Sequence, residues 1–303
     1  MEAFNSTLLI DACEFVERKC NRYNFIVYSS TNVVSIIINT LHLFVLREIP
    51  RVKESNYFWI LFNITLGDIA MSIAVILLVN CNLWVLRNCF IMVMSYASAG
   101  IVFQVRYWLL TLAVLDRYYA VCKPFQYKTS KFINNIGKWA AVAWTLSIVL
   151  AFLLNFFRHV RIAAVQSEVE RYLNIAVIAA AVVPSLISTV LLLRIAVELK
   201  RMKQQKNPTA EDPETLSANR YIIGVFIMFY VSIIPSFVHA GFEMMSKNSP
   251  ETDFSWLTST ALFTHLLYGV GNVVLYGILN KAYVAKIKSI CGSLCPVAKV
   301  SPQ

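Results

Sequence analysis

Four ionisable side chains, Asp68, Arg106, Asp116 and Arg117, stand in stretches that are otherwise apolar. Charge is expensive in such segments, so groups of this kind face a protein interior and pair. The chemistry open to them is ion pairing, and with it a charge-based switch between two states. Arg106 lies 11 residues before Arg117, close to three helical turns, which puts both near one face of a helix. Turnover has no comparable constellation. A membrane enzyme would gather His, Asp, Glu or Ser at one depth, whereas His42, His159, His239 and His265 are scattered. No enzymatic activity, metal site or cofactor is expected.

The elements that must hold these charges are membrane helices. The chain has 303 residues, a mean hydropathy of +0.61 and only 15% charged residues, against about 25% in soluble proteins. Apolar runs long enough to cross a bilayer fall near 25–46, 57–80, 92–121, 138–157, 173–197, 221–243 and 256–278. Lipid offers backbone amides no partners, so helices are the expected form, and the alternation of barrel strands is absent. The reading is an all-α membrane protein: a bundle of seven transmembrane helices with a short amphipathic eighth. The expected segments are an outer N-terminus at 1–24, the bundle at 25–279, and a helix and tail at 280–303.

Lys and Arg set the orientation. Sixteen lie on one side of the spans and eight on the other, with Arg106, Arg117 and Arg194 within them. The N-terminus is therefore outside, as in a plasma-membrane protein, and the net charge of +10 matches an anionic inner leaflet, with no call for nucleic acid. Residues 1–23 carry too many charges for a cleavable signal, so the first span is expected to serve for targeting. Asn5-Ser6-Thr7 is a glycosylation sequon on the outer side. Cys13, Cys20, Cys81 and Cys89 lie where disulfides form, and the three pairings they allow stay open. Cys122, Cys291 and Cys295 face the cytosol, and the last two follow an amphipathic stretch suited to palmitoylation.

Asp116-Arg117-Tyr118 closes the third span, and its setting resembles the ionic switch of rhodopsin-like (class A) G-protein-coupled receptors. Asn39, the segment Asn63 to Asp68, Trp84, Trp144, Pro184, Pro235 and Asn272-Val273-Val274-Leu275-Tyr276 resemble family landmarks in order and spacing. Within that family, Ala120-Val121-Cys122-Lys123-Pro124-Phe125-Gln126-Tyr127 and Tyr276-Gly277-Ile278-Leu279-Asn280-Lys281 are similar to odorant-receptor stretches. The resemblance implies a receptor passing an extracellular small-molecule signal, odorant or lipid-like, to a heterotrimeric G protein. It implies a coupling switch of Asp116, Arg117, Tyr118, Asn272 and Tyr276. It also implies a polar network in which Arg106 takes the place of a bound sodium ion and pairs with Asp68, with Asn39 and Asn272 meeting the remaining groups. The ligand pocket would draw on Ala99, Phe103, Gln104, Phe237, His239 and His265. Partners are then the G protein, a ligand and membrane lipid, with a homo- or heterodimer left open.

The chain departs from the pattern in ways that bear on mechanism. The outer loop after the fourth span is short and lacks a Cys. Val273 stands where the family has proline, Ile233 where it has an aromatic toggle, and Leu192 where it has Tyr. A receptor-shaped partner or decoy that does not signal is the competing reading. A transporter, which would show paired halves or Gly-interrupted helices, is less well supported.

Overall fold

The computed structural model describes residues 22–53, 55–81, 89–127, 129–159, 166–204, 213–245 and 255–294. Seven long helices run through them: α1 (Arg22–Arg47), α2 (Asn56–Cys81), α3 (Cys89–Cys122), α4 (Ile136–His159), α5 (Gln166–Gln204), α6 (Pro213–Met245) and α7 (Ser255–Leu279). A shorter α8 (Lys281–Leu294) follows at once. Single helical turns at Pro50–Lys53, Pro124–Tyr127 and Lys131–Asn134 sit in the connections.

Five stretches are long and apolar enough to cross a membrane by length and composition: Ile26–Arg47, Tyr57–Leu77, Ile136–Leu153, Ile178–Met202 and Ser217–Pro235. In α7 the apolar part, Phe263–Leu279, is shorter. In α3 the three charges at 106, 116 and 117 dilute the run, and they lie inside the bundle. The long α5 continues the apolar run of 173–197 through Lys200 and Arg201 to Gln204. Pro124 cannot extend α3, Pro213 opens α6 where a missing N–H is harmless, and Asn280 caps α8 by accepting from the Tyr283 N–H at 3.0 Å.

The third helix is the hub, packing against α2, α4, α5 and α6, while α6 pairs with α7 and α1 with α2. Its buried face joins Leu46, Ile60, Leu61, Phe229 and Ile233 in one core. The opposite faces are apolar and exposed at helical spacing, as Leu186, Val190, Leu193 and Val197 show on α5; these are the lipid-facing stripes. Polar rivets tie the hub to its neighbours. The Thr111 hydroxyl lies 3.1 Å from the Pro184 carbonyl and 2.8 Å from Ser188 Oγ, joining α3 to α5 at the proline. Trp144 Nε1 donates to Asn63 Oδ1 at 3.1 Å, joining α4 to α2. Asn63 is thus a structural acceptor within the span.

Candidate functional site

Two polar layers interrupt the core. The middle one is centred on Asp68 of α2. Arg106 Nη2 of α3 donates to Asp68 Oδ1 at 2.6 Å, and Asn272 Nδ2 of α7 donates to Asp68 Oδ2 at 3.1 Å. Both side chains of the ion pair are nearly sealed, 2% and 1% exposed, so solvent screens them little. Gly269 of α7 faces the carboxylate, and a methyl there would make ordinary contact with Asp68 Cβ and Cγ at 3.4 and 3.5 Å. The guanidinium also lies over the Tyr268 ring at 5.0 Å. Its Nε and Nη1 have no protein acceptor among the described residues. Beside it a cavity of about 10 Å³, bordered by Ser35, Ser72, Arg106 and His265, has the room of roughly one water molecule.

Asn39 does not join this pair, contrary to the sequence expectation. Its Nδ2 donates to the Ser35 carbonyl at 2.9 Å and lies 3.3 Å from Ser35 Oγ, one turn back in α1. Ser72 Oγ then donates to Ser35 Oγ at 3.0 Å, so Asn39 braces the α1–α2 contact at one remove from Asp68.

The second layer closes the cytoplasmic end of α3. Arg117 Nε donates to Asp116 Oδ2 at 2.8 Å, and Nη2 donates to the same oxygen. The other oxygen, Oδ1, accepts from the Tyr127 hydroxyl at 3.0 Å. Tyr127 lies outside the span, on the Pro124–Tyr127 turn. Burial, and then the Asp116 charge, push its phenol up to about 12, so it stays a donor at any physiological pH. The Arg117 guanidinium sits over the Tyr57 ring of α2 at 4.5 Å. Tyr118 takes no part: its ring meets Tyr119 edge-on and lies 6.0 Å from Lys123 Nζ.

A cluster of rings ties α1, α6, α7 and α8 together. Tyr276 of α7 meets His42 of α1, Tyr221 of α6 and Tyr283 of α8 edge-on, at 5.2, 5.1 and 5.1 Å. His42 Nδ1 and the Tyr283 hydroxyl form a 2.8 Å hydrogen bond, and Asn280 Nδ2 donates to the Tyr276 hydroxyl at 3.0 Å.

Compared with known proteins, residues 38–275 match the family described as 7 transmembrane receptor (rhodopsin family). The chain belongs to this family. Relatives include human olfactory receptor 2H2, 26% identical over 131 residues, and human olfactory receptor 2H1, 27% identical over the same length. The first match covers 41% of the chain and 41% of the relative; the second covers 41% and 40%. The aligned part thus spans about two-fifths of the relatives' length. The protein is a class A receptor, a multi-pass plasma-membrane protein with its N-terminus outside, and its family is one of receptors and not of enzymes.

Of the receptor's expected pocket residues, Phe103 and His265 meet edge-on at 5.4 Å, and Gln104 is buried. The side chains of Ala99, Phe237 and His239 lie outside the described residues, as do Asn5, Cys13, Cys20 and Cys295 and the side chains of Cys81 and Cys89. Cys291 is an exposed free thiol on α8. Among the described residues no cluster of His, Cys, Asp and Glu could hold a metal ion. Sequence reasoning missed Tyr57, Tyr127, His42 and Tyr283 as partners of the two arginine and tyrosine centres. Tyr127 stood in the odorant-receptor-like stretch and could have been found there. The others gave no signal beyond residue type.

Proposed function

We propose that this receptor carries an extracellular small-molecule signal, odorant-like or lipid-like, to a heterotrimeric G protein. Asp116, Arg117 and Tyr127 act as the resting lock. The observation that carries the reading is the way Asp116 is filled: both oxygens are engaged, by Arg117 and by a tyrosine on the following turn. Hydrogen bonds to a charged group contribute about 1.5–3 kcal/mol each. A few of them match the ~5.5 kcal/mol that separates a state populated at one in a hundred from its reverse. A ligand that binds the unlocked arrangement better would release Arg117 toward the cytosol. On the same turn Phe125 is 93% exposed, which suits a surface that a G protein covers while Tyr127 senses the contact. Tyr276 and Asn272 report movement of α7 to this end. The Asp68–Arg106 pair serves as a fixed internal counter-charge in place of a sodium ion.

The pocket belongs to Ala99, Phe103, Gln104, Phe237, His239 and His265, at the outer side of the middle layer. Residues 1–24 form the outer segment with a glycan on Asn5. Residues 25–279 form the bundle, and 280–303 the anchored tail with palmitates on Cys291 and Cys295. The similarity to olfactory receptors, though it covers a minority of either chain, supports a chemosensory ligand. Val273, Ile233 and Leu192 favour a second reading, a receptor-shaped partner that does not signal. The test is second-messenger output, cAMP and calcium, in cells expressing the chain or its Arg117→Ala variant. Basal or odorant-evoked output that vanishes in the variant supports coupling. Output unchanged by the variant overturns the assignment of Arg117, and silence in both despite surface expression favours the partner reading.

A further inference from the structure

At the cytoplasmic end of α4 the chain forms a groove that the receptor reading leaves without a role. It has a volume of about 430 Å³ and is lined by Lys131, Phe132, Asn135, Lys138, Trp139 and Val142, within the ~300–1,000 Å³ range of small-molecule clefts. Local interactions hold its shape. Ser130 caps the Lys131–Asn134 turn by accepting from the Ile133 N–H, and Ile133 and Ile136 are sunk in the core. Asn135 Nδ2 donates to the Lys131 carbonyl at 2.7 Å. The Phe132 ring stacks on Trp139 with centroids 5.3 Å apart and planes inclined by 30°. The turn leading into α4 is therefore fixed before any ligand arrives.

The lining has two chemistries. Lys131 and Lys138 are exposed, and neither has an ion-pair partner among the described residues. Trp139 and Val142 are exposed apolar surface, and the strip continues up α4 through Leu146 and Val149. The Lys and Arg bias places this end at the inner leaflet, where anionic lipids concentrate near basic side chains. A soluble anion would use the lysines and leave the apolar strip bare. A second copy meeting this face symmetrically would bring like charges together. A phospholipid uses both parts, with tryptophan at headgroup level, its usual depth.

We infer that the groove binds an anionic phospholipid of the inner leaflet. Its phosphate and headgroup carboxylate meet Lys131 and Lys138, and one acyl chain runs along Trp139, Val142, Leu146 and Val149. The site adds a lipid contact next to the turn that carries Phe125 and Tyr127.

The test uses the full chain in nanodiscs of phosphatidylcholine. These contain a trace of phosphatidylserine or of phosphatidylcholine bearing a photoreactive group on the acyl chain, and adducts are mapped by mass spectrometry. The expected result is labelling of residues 139–149 with a preference for phosphatidylserine. That preference should fall about thirty-fold in Lys131→Gln/Lys138→Gln. Both lysines are exposed, so this variant should unfold at the wild-type temperature, which is measured alongside. Trp139→Leu should lower the yield and keep the preference. Equal labelling by the two lipids in the wild type, a preference unchanged by the double variant, or adducts joining α4 of two copies would each overturn the inference.

Discussion

Replacing Asp68 by Asn strands a guanidinium inside the bundle, and its effect can be estimated from the geometry. At the observed 2.6 Å and an effective dielectric of about 20, the pair attracts by roughly 6 kcal/mol. Part of this offsets the desolvation of both ions, and breaking one partner of such a pair costs about 3–5 kcal/mol. The two single variants should differ. In Asp68→Asn, Arg106 has no means of shedding its charge. In Arg106→Met, the stranded carboxyl can take up a proton, and Asn272 still donates to it, so the loss falls at the low end. In the double variant neither charge remains, and the loss should be well below the sum of the singles, by about 2 kcal/mol or more. Thermal unfolding of the purified receptor in detergent, followed by thiol-reactive dye, measures all four proteins, with surface expression as the cellular counterpart. Losses that add within about 0.5 kcal/mol would show that the two side chains do not act on each other. A larger loss for Arg106→Met than for Asp68→Asn would refute the argument about which charge can escape.

Three further outcomes follow from the other contacts. Tyr127→Phe removes a donor to a charged oxygen at 3.0 Å, about 1.5–3 kcal/mol. Ligand-free guanine-nucleotide exchange should rise by about tenfold or more; unchanged exchange would mean that Tyr127 does not hold the lock. Tyr283→Phe and His42→Phe each delete the 2.8 Å bond between α1 and α8, about 1 kcal/mol. Faster amide hydrogen exchange confined to α8 should appear in both, and equal protection would discount the bond. Trp144→Phe loses the 3.1 Å bond to Asn63 and should lower stability by about 1 kcal/mol; combined with Asn63→Ala it should add little, whereas full additivity would show that the bond contributes nothing.

The helices were legible because bilayer thickness is written into the chain as length, and the bundle interior as charge. Arg106 and Asp68 could be matched because each would be intolerable alone in lipid. Side-chain direction was harder to read. Asn39 looked like a third partner, but its Nδ2 finds an acceptor one turn back in its own helix, at the Ser35 carbonyl. Tyr118 follows Arg117 in sequence, yet successive helical residues point about 100° apart and do not face each other. The tyrosine that reaches Asp116 is Tyr127, brought back by the reversal at Pro124. A lone membrane histidine such as His42 carries no mark of its partner, which lies 241 residues downstream.

The Asp68–Arg106 bond also sets a problem of birth order. The two residues are 38 positions apart, and chains grow at about 5–20 residues per second, so the carboxylate is made roughly 2–8 s before its counter-charge. During that interval α2 has no arginine to offer its aspartate. Until α3 arrives, Asp68 has to face water or protein, or take up a proton, before α2 can settle in lipid. A ribosome pausing between them would prolong the interval in which Asp68 waits alone, and quality control would meet the receptor there first.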